Sequence, residues 1–121
     1  MKTFQLLLLI FLLSGNVASA GEVDVLQVKV KRSGDNVYSF EVTVTHKDEG
    51  WDHYANKWDV VAPDGTTLGT RTLYHPHVQE QPFTRSLSGV KIPKGIHRVT
   101  IRAHDSVHGY GGNVMTVDLP Q

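Results

Sequence analysis

Tyr38-Ser39-Phe40-Glu41-Val42-Thr43-Val44 is the run whose reading decides the fold of this chain. Tyr38, Phe40, Val42 and Val44 alternate with Ser39, Glu41 and Thr43, the period of a strand with one face buried and the other in water. A helix brings residues three or four apart to one face and would scatter this set. His46, two residues past Val44, continues the inward parity and reads as a histidine closing the end of the core.

Working outward, Ser33-Gly34-Asp35-Asn36 is a turn, and residues 23–30 read as a first strand with a bulge near Leu26-Gln27. On the other side, a third strand over residues 56–62 puts Trp58, Val60 and Ala62 on one face. Pro63-Asp64-Gly65 turns tightly, because proline presets the first corner and glycine accepts a positive φ. A fourth strand over residues 67–74 returns antiparallel, and a long connection over 74–82 leads to a fifth over 83–90. Ile92-Pro93-Lys94-Gly95 turns into a sixth, where Val99, Ile101 and Ala103 alternate with Thr100 and Arg102. Residues 104–112 form a glycine-rich loop, and residues 114–119 close as a seventh strand. Short strands separated by turn signals over about 100 residues predict an all-β fold, an immunoglobulin-like or fibronectin-like antiparallel β-sandwich. The chain has no cysteine, so no disulfide staples it.

The first twenty residues follow another logic. Lys2 precedes an apolar run over residues 6–13, and Ala18-Ser19-Ala20 has the small-x-small pattern of a signal peptidase site. The expectation is a leader over residues 1–20, cleaved after Ala20, and a single sandwich domain over 21–121 in the periplasm or secreted. The apolar run is too short to span a membrane. With no cysteine after it, a lipid anchor is not expected, nor is thiolate chemistry. Lysine and arginine total 12, as do aspartate and glutamate. So even a balance gives no electrostatic reason to expect nucleic acid or an anionic membrane as partner.

The chain carries seven histidines. Six fall in the second, fourth and sixth connections: His46 and His53, His75 and His77, His104 and His108. Alternate connections of an up-and-down strand series emerge at one end, so these imidazoles are predicted to gather on one rim, with His97 at the opposite end. Imidazole is the commonest protein ligand for zinc, copper and nickel. In His75-Pro76-His77, residues two apart point to one side of an extended backbone that Pro76 restricts. His104 and His108 flank a loop in which Asp105 either orients a histidine or closes an Asx-turn. His53 is the fifth candidate ligand, and Trp51 and Tyr54 either shield it or plug the end of the sandwich.

The bias toward imidazole favours Cu(II) or Zn(II); calcium prefers oxygen ligands in closer array. Asp48, Glu49, Asp52, Glu80 and Asp105 read as solvated loop charges. Asp105, Ser106 and His108 have the residue types of a hydrolase triad, but no nucleophile elbow surrounds Ser106. Binding, rather than turnover, is what the sequence points to. The function expected is metal binding through His53, His75, His77, His104 and His108, in trafficking, buffering or tolerance. The alternative is a periplasmic binding or assembly module recognising a protein, peptide or glycan through the same rim. The sequence does not specify an oligomeric state.

Gly50-Trp51-Asp52-His53-Tyr54-Ala55, the stretch from Leu73-Tyr74-His75-Pro76-His77 to Glu80-Gln81-Pro82-Phe83, and Ala103-His104-Asp105-Ser106-Val107-His108-Gly109-Tyr110-Gly111-Gly112 resemble a family of small exported bacterial proteins. The resemblance covers most of residues 21–121 and implies a periplasmic sandwich. It implies no activity, since that family is uncharacterised.

Overall fold

The computed structural model describes residues 21–121, so the leader expected over residues 1–20 and its cleavage site lie outside or at the edge of them. Seven strands follow in order: β1 Asp24–Gly34, β2 Val37–Thr45, β3 Ala55–Val61, β4 Thr67–Thr72, β5 Phe83–Lys91, β6 Arg98–Asp105 and β7 Met115–Asp118. They form two antiparallel sheets, β1-β2-β5 and β4-β3-β6-β7, packed as the expected β-sandwich. The bulge read at Leu26-Gln27 is present, as the β1–β2 register shifts between Val25 and Gln27. β4 is shorter than expected because Leu73 turns into the core and its N–H donates to the Asn56 carbonyl, leaving Tyr74 exposed.

The alternating residues meet between the sheets. Phe40, Val42 and Val44 of β2 face Trp58 and Val60 of β3 and Val99, Ile101 and Ala103 of β6, all buried. Burying side chains of this size stabilises by about 1.5–3 kcal/mol each, which is where a disulfide-free domain finds its stability. Registry is held on the outer faces as well, by Thr43 against Thr84 at 2.7 Å and Thr100 against Thr116 at 2.9 Å.

The residues ahead of β1 are held as firmly as a strand. Val23 is buried, the Asp24 carboxylate accepts the Asn113 N–H at 2.7 Å, and the Val25 N–H donates to the Asn113 carbonyl at 2.9 Å. A Cβ on Gly112 would stand 1.9 Å from the Val23 carbonyl oxygen, and one on Gly111 would stand 2.1 Å from Glu22 Oε2. Gly112 therefore serves close backbone approach, Gly111 faces only the movable end of the Glu22 side chain, and Gly109, at φ 73°, serves the turn itself. Among the described residues no helix is long and apolar enough to cross a membrane.

Candidate metal centre

Two inward rows run past the ends of their strands and meet. On β2, Val42 and Val44 are followed inward by His46 and then Asp48; on β6, Ile101 and Ala103 are followed by Asp105. All three polar groups are buried, Asp105 completely. A buried carboxylate must be paired or hydrogen-bonded to stay ionised. Asp105 Oδ1 accepts the N–H groups of Val107, at 2.9 Å, and of His108, so the Asx-turn expected there forms. Asp105 Oδ2 faces three imidazoles: His46 Nε2 at 2.9 Å, His53 Nε2 at 3.0 Å and His108 Nδ1 at 3.1 Å.

Each approach has a local cause. His53 is brought in because the β2–β3 and β6–β7 connections clasp each other: Ser106 N–H donates to the Tyr54 carbonyl at 2.9 Å, and Tyr54 N–H donates to Ser106 Oγ at 3.0 Å. The Ser106 hydroxyl is thus a structural acceptor. His108 folds back over Asp105 because Asp105 and Gly109 exchange both backbone hydrogen bonds at 3.1 Å. Behind the ring of ligands stand further carboxylates. His46 Nδ1 lies 2.5 Å from Asp48 Oδ1 and His53 Nδ1 lies 2.9 Å from Glu49 Oε1. Asp48 also accepts Ala55 N–H at 3.1 Å and His77 N–H at 2.6 Å, joining two connections to β3. The expectation of solvated loop charges is therefore corrected for Asp48 and Asp105, whose strand parity carries them inside; Glu49, Asp52 and Glu80 are exposed.

The electrostatics follow from this packing. Burial opposes ionisation of Asp105, but the hydrogen bonds from His108, His53 and Val107 outweigh it and hold the carboxyl well below the usual carboxylate range. The Glu49 carboxylate raises the pKa of His53, with Asp105 adding to it against partial burial. Reciprocally, His53 lowers that of Glu49.

The five candidate ligands are divided by the fold. His53 and His108 join His46 on Asp105. The His77 ring stacks on Phe83 with centroids 3.9 Å apart, and Arg85 donates to its Nε2 at 3.0 Å. Burial, then Arg85, depresses its pKa. His75 is exposed, its ring 4.7 Å from that of His77, and it reaches the Asp105 cluster indirectly, through the His77 backbone and then Asp48 or Gln81. His104 has the outward parity of β6: its Nδ1 is 2.7 Å from Asn56 Oδ1 and its ring packs edge-on to Tyr110 at 4.8 Å. Burial and nearby Lys57 lower its pKa. Tyr110 lies across that outer face, its hydroxyl 2.5 Å from Asp59 Oδ2 and the Arg102 guanidinium 4.2 Å from its ring centroid.

His46, His53 and Asp105 each offer an atom within 4.8 Å of the others. Neighbouring ligands of a tetrahedral zinc stand about 3.3 Å apart, given Zn–N bonds of about 2.0–2.1 Å. Around Asp105 Oδ2 the contacts of His46 and His53, 2.9 and 3.0 Å, need open by only a few tenths of an ångström to admit an ion, whereas His108 stands outside this set of mutually close donors. Asp48 and Glu49 hold the far ring nitrogens, the arrangement that fixes which nitrogen is left to coordinate.

A protein of Halomicrobium mukohataei named "Putative lipoprotein" is similar to this chain, 42% identical over 97 residues. The match takes in 80% of this chain and 47% of that protein, so the chain spans about half the length of its relative. No family model matches the chain, and no solved structure matches it.

Proposed function

We propose that this is an exported metal-binding domain that takes a divalent transition metal, Cu(II) or Zn(II), through His46, His53 and Asp105, with His108 on the same carboxylate, in trafficking, buffering or tolerance of the metal. The observation that carries the reading is the crowding of imidazole nitrogens onto buried carboxylate oxygens. Five contacts join His46, His53 and His108 to carboxylate oxygens, two for each of the first two rings and one for the third. Neutral imidazoles bring one N–H each, leaving two contacts in which a lone pair faces a carboxylate. Two added protons or a dication resolve those contacts, and a dication at the centre leaves the outer Nδ1–H groups of His46 and His53 to donate to Asp48 and Glu49. Export is supported by the leader pattern of residues 1–20 and by the name of the relative.

Calorimetric titration of chelator-treated protein tests this. Cu(II) or Zn(II) is expected to bind more tightly than about 1 μM. The double substitution of His46 and His53 by alanine abolishes that binding, and the double substitution of His75 and His77 leaves it. Binding weaker than about 1 μM for both metals, or binding indifferent to His46 and His53, overturns the proposal.

A second reading rests on the same end of the molecule. Trp51, Tyr74, Val78 and Val107 are exposed on the even connections, Trp51 at 66% and Tyr74 at 76%. Exposed aromatic and aliphatic groups beside a site suit capture of a protein, peptide or glycan. If so, Trp51→Ser with Tyr74→Ser removes partner capture and leaves metal content unchanged.

A further inference from the structure

Gly21, the first residue after the small-x-small pattern, does not trail into solvent away from the site. Its carbonyl oxygen is 3.3 Å from His46 Nε2, the nitrogen that also faces Asp105. A Cβ on Gly21 would stand 3.2 Å from His108 Cε1 and 3.7 Å from His108 Nδ1, so residue 21 lies beside the His108 ring, which also touches Asp105. Two residues later Val23 is buried beneath Gly112, and Asp24 is paired with Thr45 in the sheet. The backbone of residue 21 is thus delivered to the imidazoles by a short segment locked at Val23 and Asp24.

We propose that cleavage of the Ala20–Gly21 bond turns Gly21 into a ligand, its α-amino nitrogen completing the metal site of His46, His53 and Asp105; this rests on the metal-binding reading above. Hydrolysis consumes one water, whose hydroxyl goes to the Ala20 carbonyl carbon and whose remaining hydrogen goes to the Gly21 nitrogen. Before cleavage that nitrogen is an amide whose lone pair is delocalised into the carbonyl, and it is a poor ligand. After cleavage it is an amine with the lowest basicity of the chain's aliphatic amines, about 7.7–8.0 for an α-amino group against 10.4 for lysine. On binding it loses its extra proton to solvent and offers the metal a lone pair. The Gly21 carbonyl oxygen closes a five-membered chelate with that amine, which suits the tetragonal nitrogen and oxygen field of Cu(II). A side chain at position 21 would crowd the His108 ring, which would have to give by a few tenths of an ångström. Metal uptake is thereby tied to maturation, and the full-length precursor with its leader attached holds the metal loosely.

The test compares the exported, processed protein with a version in which one alanine is inserted between Ala20 and Gly21, so that the mature chain starts one residue earlier. Intact mass establishes each start, and Cu(II) alone is the probe. The chain starting at Gly21 is expected to bind Cu(II) at least about tenfold more tightly. Its electron paramagnetic resonance spectrum should change on glycine-specific 15N labelling, and that of the extended chain should not. A processed chain starting elsewhere than Gly21, or equal affinities with no 15N effect while His46→Ala still abolishes binding, overturns this inference alone. Absence of Cu(II) binding in both forms overturns it, and if Zn(II) fails to bind as well the metal-binding reading falls with it.

Discussion

Asp105 Oδ2 meets three imidazole nitrogens where an ordinary buried carboxylate oxygen meets one or two donors. Asp105→Asn keeps an oxygen for the Val107 and His108 N–H groups but presents an amide to the rings. Expected is a folded protein by circular dichroism whose metal affinity falls about 10- to 100-fold in calorimetry. His53 sets the pH behaviour. Its pKa is raised in the folded metal-free protein, chiefly by Glu49, so the stability it contributes is fully present below its unfolded value of about 6.5 and is lost as pH rises through the folded value. Metal binding runs the other way, since protons compete for the same nitrogen. Urea titrations at pH 6 and pH 8 should therefore find the gap between wild type and His53→Ala shrinking with pH in chelator. The same pH change should raise metal affinity. A third residue-scale case lies on the outer face of the sheet. Tyr110→Phe strips the 2.5 Å donor from the buried Asp59 carboxylate, and a loss of about 1–3 kcal/mol is expected in chemical denaturation.

At the scale of elements, the glycines of the β6–β7 connection make the sharpest prediction. Gly112→Ala drives a Cβ into the Val23 carbonyl, so the segment ahead of β1 must lift. Thermal melting should show a lower midpoint, and metal affinity should fall although no ligand has been touched. The strands themselves were legible because half-buried antiparallel strands write their burial into alternation, from Tyr38 to Val44 and from Val99 to Ala103. The centre was partly legible by the same rule. Continuing the β2 row inward reaches His46 and Asp48, and continuing the β6 row reaches Asp105 while turning His104 outward. Loop residues escape that rule. The side on which His53, His75, His77 and His108 fall depends on how the connections clasp one another, through pairs such as Tyr54 with Ser106 that lie 52 residues apart in sequence. The purpose of Gly112 was hidden for the same reason, as its partner belongs to the opposite end of the chain.

At the scale of the whole molecule, the sandwich supplies the frame, and the candidate site lies at one end of it, on the β2–β3 connection and the end of β6, a placement common to folds that bind at loop ends. Because the proposed ligands come from the β2–β3 connection, at the end of one sheet, and from the end of β6 in the other, an ion bound there would tie the two sheets together. Saturation at about 100 times the dissociation constant is expected to raise global stability by about 2.7 kcal/mol, read as an upward shift in melting temperature that chelator reverses. The two tryptophans then divide the optical signal of the protein. Trp58 is sealed in the core, so its emission is expected to be blue and to shift red when the sandwich opens. Trp51 stands in solvent two residues from His53, so its red-shifted emission is within quenching range of a paramagnetic ion at the centre. Excitation at the red edge therefore reads occupancy and the blue band reads folding, from one unlabelled sample.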